Sequence, residues 1–137
     1  KELYQRMTML KDYTTIDSSA PSEILTLIAL RVKEKIIARH LERMKSNLAL
    51  LDSFFVKYRT LFSWTRPRAG TIGFPKILFD KDSLSFCERV ANDTGIMLLP
   101  STVYDYGNKH FRLGFGRENM PEALAKLEVY LKSRFKV

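Results

Sequence analysis

Residues 110–117 read HFRLGFGR. Phe111, Leu113 and Phe115 alternate with Arg112, Gly114 and Gly116, which is the two-residue period of a strand buried on one face. The polar register carries one large cation followed by two glycines. An arginine so placed is either a solvated or salt-bridged strand residue, or a guanidinium held beside bare backbone where a planar anion approaches. The second role suits its shape, because the guanidinium fork matches a carboxylate through two parallel charge-assisted bonds. The segment YDYG (104–107), just upstream, offers a polar rim.

Helical patterns flank this strand. Downstream, Asn119 stands as a cap with Glu122 three residues later to complete a capping box, and Leu124, Leu127 and Leu131 share one face. Upstream, IMLLP (96–100) reads as a short strand stopped by proline, and STVYDYGNK (101–109) as irregular. Asp82 caps a helix whose apolar side is Leu84, Phe86, Cys87, Val90 and Ala91, with Gly95 placed to end it. TIGFPKILF (71–79) holds a strand interrupted or edged at Pro75. Before RPRAG (66–70) runs a long helical pattern. It opens with Pro21 in the first turn and Glu23 at the positive end, then places apolar residues by threes and fours from Ile24 to Tyr58. Its length predicts a bent helix, or two helices meeting near Arg39 to Asn47. KELYQRMTMLKD (1–12) is weakly patterned and YTTIDSS (13–19) is a polar connector. The expected fold class is α/β, with helices packed on a small mixed or antiparallel sheet and a long bridging helix in front. The apolar-tinged lead-in suggests further sequence upstream.

The 137 residues suffice for one domain with a real core, and 45% apolar against 28% charged residues is an ordinary globular balance. No apolar run is long enough to cross a bilayer and no secretory leader pattern opens the chain, so no membrane role and a cytoplasmic location are expected. The single cysteine, Cys87, excludes an internal disulfide and reads as a small buried hydrophobe. The formal charge of +8 raises the question of nucleic acid. In RVKEKIIARHLERMK (31–45), however, the cations alternate with Glu34 and Glu42 on what reads as a solvated helix face. KYRTLFSWTRPR (57–68) mixes aromatic and basic residues without any zinc spacing or nucleic-acid-binding signature. No specific nucleic-acid partner is expected. Close histidine pairs, CxxC and HExxH are absent, so no metal site is expected. His40 reads as solvated. His110 opens the Arg112 strand with Asp105 in reach, but no nucleophile completes a triad.

Four segments in order, PRAGTIGFP (67–75), GIMLLPST (95–102), HFRLGFGR (110–117) and NMPEALAKL (119–127), carry a family likeness. With DYTTIDSSAPSE (12–23) in front of them, the chain from about Asp12 to Leu131 resembles the C-terminal part of fold-type I pyridoxal-phosphate-dependent aminotransferases of class I and II. The resemblance implies a remnant of the large, cofactor-binding domain with the start of the bridging helix over 1–38, and the small C-terminal domain over 39–137. It implies that Arg112 grips the substrate α-carboxylate and that Gly70 lies where backbone approaches the substrate. It further implies that Ser101, Thr102, Tyr104 and Tyr106 form the rim or lid of the pocket. That loop departs from the family pattern, with Ser101 where a glycine is usual and Tyr104-Asp105-Tyr106-Gly107 in place of Phe-Gly.

The same resemblance implies pyridoxal 5′-phosphate as cofactor, amino acid and 2-oxo acid substrates, and a homodimer when intact. In this family the Schiff-base lysine, the aspartate at the pyridine nitrogen and most of the phosphate cup precede the segment matched. No catalytic lysine is therefore expected in this chain; Lys1 and Lys11 sit in no such motif. The intact protein is expected to move an amino group between an amino acid and a 2-oxo acid, and the 137 residues alone to be inactive. A lyase of the same fold and a non-catalytic binding module are the alternatives.

Overall fold

The alternation around Arg112 forms the centre of a small antiparallel sheet. In the computed structural model, which describes residues 1–135, the helices are α1 (Glu2–Thr14), α2 (Ala20–Arg31), α3 (Lys33–Lys57), α4 (Ser83–Thr94) and α5 (Met120–Arg134). The strands are β1 (Phe62–Ser63), β2 (Ile72–Gly73), β3 (Lys76–Ile77), β4 (Leu99–Pro100) and β5 (Phe111–Gly114), with a 3₁₀ turn over Ser101–Tyr104. β5 lies between β2 and β4, and β1 pairs with β3. An isolated bridge between Lys76 and His110 joins the two sets.

The backbone forms two compact units, Lys1–Arg39 and the residues from His40 onward. In the first unit α1 and α2 bury no residue. In the second, the inward register of β5 meets apolar side chains from three helices. Phe111, Leu113 and Phe115 share one cluster with Leu51, Phe54 and Phe55 of α3, Phe86 and Val90 of α4, and Leu127 and Leu131 of α5. Arg112 and Gly114 alternate out to the other face, as the period requires. Asn47, buried in α3, donates from Nδ2 to the carbonyls of Phe115 (2.9 Å) and Arg117 (2.8 Å). It thereby fastens the helix to the end of β5.

Several sequence expectations hold. Pro75 separates β2 from β3, Asp82 accepts from the Ser85 amide at 2.9 Å as the cap of α4, and Gly95 closes that helix in the left-handed region at φ 72°. Others give way. The weakly patterned start is helical over α1. The long helical pattern breaks at Val32 (φ −112°, ψ 18°), well before Arg39 to Asn47. No glycine or proline marks that place, so the spacing by threes and fours runs across it unbroken. The capping box is not formed: Asn119 has φ −79° and ψ 16°, not the extended backbone that aims a cap side chain at the helix amides. Glu122 pairs instead with Lys126, one turn on, at 3.0 Å. Leu84 faces solvent, and only the last two residues of IMLLP pair as a strand.

Candidate functional site

Strand register decides which side chains surround Arg112. On one flank Leu99 of β4 lies opposite it. On the other, Ile72 faces Gly114 and Gly73 faces Leu113, and the Lys76–His110 bridge continues that register. Phe74 therefore stands across from Arg112. On the outer face the half-buried guanidinium has Ile72 and Phe74, both exposed, on one side and Leu99, half-buried, on the other, with Lys76 and His110 further along the same register.

Arg112 Nη1 donates to the Tyr104 hydroxyl at 3.0 Å. Among the described residues no carboxylate lies within ion-pair range of it, in contrast to Arg66 with Asp52 and Arg134 with Asp93. One nitrogen is thus anchored by a neutral oxygen and the rest of the fork is open. A groove of about 520 Å³ runs past Arg112, Leu99 and Gly114 to the first turns of α5. A larger depression, about 850 Å³, lies between α4 and α5 and excludes Arg112. It contains no chemistry beyond surface ion pairs.

The loop after β4 is tied down by Ser101. Fully buried, its hydroxyl donates to the Gly107 carbonyl (3.0 Å), accepts from the His110 amide (3.2 Å) and lies 3.3 Å from the Ser83 hydroxyl. Its backbone amide donates to the His110 carbonyl at 2.8 Å. Ser101 therefore sits at the root of the loop, where it fixes the rim without facing the mouth. Tyr104 and Tyr106 do face outward, and Thr102 is exposed with its carbonyl accepting from Asp105. Gly70, at φ +78° with open space where a Cβ would project, lies just before β2. Phe74, the residue opposite Arg112, follows β2, so Gly70 and Arg112 stand toward opposite ends of this pairing.

His110 does not join Asp105. Its ring stacks on Phe74 with centroids 5.2 Å apart and planes 9° from parallel, and Tyr106 meets both rings edge-on. Burial, reinforced by the charge of Lys76, holds the imidazole below its ordinary value of 6.5, so it is neutral at pH 7. Burial likewise pushes the Cys87 thiol up to about 12, which removes it as a nucleophile. No cluster of potential metal ligands occurs among the described residues. Nor is any helix there long and apolar enough to cross a membrane. Two participants escaped the sequence reading. Phe74 could be paired with Arg112 only once the register was known. Asn47 carried one signal, an amide among apolar positions of a helix.

A solved structure of a PLP-dependent aminotransferase from Streptococcus suis 89-1591 superposes on this chain with a TM-score of 0.80 at 28% identity, over 90% of the chain and 33% of the other. The fold is that of the pyridoxal-phosphate-dependent aminotransferases. A PLP-dependent cyclase, OrfR, matches with a TM-score of 0.85 at 25% identity, over 98% of this chain and 37% of its own. A capreomycidine synthase from Streptomyces vinaceus is 22% identical over 129 residues, 93% of this chain and 33% of the relative. The chain thus spans about a third of the length of the relatives it matches. No family model matches it.

Pyridoxal 5′-phosphate is the cofactor expected of the aminotransferase fold. Among the described residues no enclosed lysine stands ready to hold it. Among the described residues every lysine is exposed except Lys109, which is half-buried and donates to the carbonyls of Phe79 (3.3 Å) and Lys81 (2.9 Å). None stands enclosed beside Arg112 as a Schiff-base lysine would. What this part of the aminotransferase fold does provide is an open guanidinium on a rigid sheet, framed by aromatic rings.

Proposed function

We propose that the residues from about 39 onward are the small domain of a pyridoxal-phosphate-dependent aminotransferase, and that Arg112 receives the α-carboxylate of its amino acid and 2-oxo acid substrates. Residues 1–38 then belong to the large domain and the start of its bridge to the small one. The supporting observation is the fork itself: it is half-buried and anchored at one nitrogen by Tyr104, with no acid among the described residues to neutralise it. A carboxylate arriving there exchanges water for two charge-assisted bonds in a partly apolar setting. With the carboxylate fixed, the α-carbon is held in one orientation, and the apolar face around Arg112 excludes water from it. The cofactor, held by residues outside this chain, carries the electronic part of the reaction. The chain alone is then inactive, and the whole enzyme is a cytoplasmic homodimer.

A second reading keeps the site and changes the reaction. The cyclase OrfR superposes with a TM-score of 0.85, and a capreomycidine synthase also matches, which supports an enzyme whose chemistry at the same cofactor is something other than amino transfer. The two are separated by incubating the full-length protein, loaded with pyridoxal phosphate, with an amino acid in the presence and absence of a 2-oxo acid acceptor. Amino transfer yields sustained product only with the acceptor. Product turning over without acceptor supports the second reading and overturns the first.

A further inference from the structure

Four rings cluster on the Phe74 flank of Arg112, joined to it through Tyr104, and the carboxylate role does not require them. Phe74 stacks on His110, Tyr106 abuts both at centroid separations of 5.5 and 5.2 Å, and Tyr104 meets Phe74 edge-on at 6.4 Å while holding Arg112 through its hydroxyl. Phe74 retains 36% of its surface, Tyr104 44% and Tyr106 59%. The backbone that carries them is held by hydrogen bonds. Phe74 immediately follows β2, and the next residue, Pro75, accepts from the Phe111 amide at 3.1 Å. The His110 amide donates to the Ser101 hydroxyl, and the Ser101 carbonyl accepts from the Tyr106 amide at 3.2 Å.

Partly exposed aromatic rings packed against one another on a hydrogen-bonded backbone are a platform for another ring. Arg117, Glu122 and Lys126 line the groove on the other flank of Arg112, whereas the charges in register with the rings are Arg112 and Lys76, beside a neutral imidazole. They favour an anion and disfavour a cationic side chain. We infer that Phe74, His110, Tyr104 and Tyr106, on the flank of Arg112 away from the groove that runs to α5, form the side-chain subsite for a carboxylate held by Arg112, and that the preferred amino acid and 2-oxo acid carry an aromatic ring. This rests on the carboxylate reading of Arg112. The carboxylate docks on the open edge of the guanidinium, and a ring one or two carbons away lies over Phe74.

The test is calorimetric binding of 3-phenylpropanoate and hexanoate, two unreactive monocarboxylates, to the full-length protein loaded with pyridoxal phosphate. Aromatic pairing of ordinary strength makes the phenyl acid roughly threefold to tenfold tighter. Phe74→Leu should abolish that preference while hexanoate binds within about twofold of its original affinity. Tyr106→Leu, at a more exposed site, should reduce the preference and serves if the first variant misfolds. Arg112→Lys should weaken both acids alike. Equal affinities in the unaltered protein, or a preference that survives both ring substitutions, would overturn the subsite while leaving Arg112 in place. If Arg112→Lys leaves both acids unaffected, the carboxylate reading itself falls, and the subsite falls with it.

Discussion

Gly73 shows how closely the outer face of this sheet is constrained by the layer behind it. A Cβ at this position would lie 2.6 Å from two carbons of the Trp64 ring. That ring cannot swing away. It stacks on Phe55 at 4.5 Å, and its Nε1 donates to Asp52 at 2.8 Å. Asp52 is itself paired with Arg66 at 2.8 Å. Gly73→Ala should therefore destabilise the domain by about 1–3 kcal/mol through overpacking, read as a lower urea midpoint with unchanged slope. The same substitution should weaken carboxylate binding in the full-length enzyme, because a displaced β2 carries Phe74 with it. Arg112 was legible as a candidate from HFRLGFGR alone, since the alternation and the two glycines single it out. Its partner Tyr104 was legible only as part of a rim. The hydroxyl contact depends on a loop whose course is set by the buried Ser101, and nothing local to YDYG records that.

Elements were legible where a local signal coincides with their end. Asp82, Gly95 and Pro75 each act on their own backbone, and each boundary fell where they stand. The break at Val32 and the failed capping box at Asn119 have no such local signal: Val32 is exposed, with no glycine or proline beside it, and at Asn119 the backbone leaves the extended conformation that a cap needs. The terminal helix supplies a pH-dependent contribution of its own. Glu128 of α5 bonds Lys132, one turn on, at 2.8 Å and reaches across to Lys57 of α3. Those two ammonium groups lower its carboxyl from the ordinary 4.5 to about 2. Since the folded value is depressed, the stabilisation is fully present above pH 4.5 and is lost as the pH falls toward 2. Glu128→Gln should lower the urea midpoint at pH 7, and the gap between the two proteins should close below pH 4.5. A gap that is constant with pH would assign the effect to packing. The pair is partly solvated, so the gap should be modest and should shrink in high salt.

At the scale of the whole molecule, burial is unevenly divided. Helices α1 and α2 are 13 and 12 residues long and bury nothing, though they carry Leu3, Met7, Ile24, Leu27 and Ile28 on their surfaces. Helices of that length without a packed face are marginal in water. In the 137-residue chain, amide exchange should be fast throughout α1 and α2. It should be slowest at Phe111, Leu113 and Val90, which lie in the core. Protection of α1 equal to that of β5 would contradict the division into two units. The activity proposed for the intact protein converges on one guanidinium, and its most direct test compares an amino acid with the amine that lacks only the carboxylate. Binding of both to the full-length, cofactor-loaded protein should be measured before and after Arg112→Lys. The expected result is that the amino acid weakens by roughly tenfold or more, as when a charged group is left with one point contact in place of a fork, while the amine is unchanged. Equal effects on both ligands, or on neither, would contradict the account.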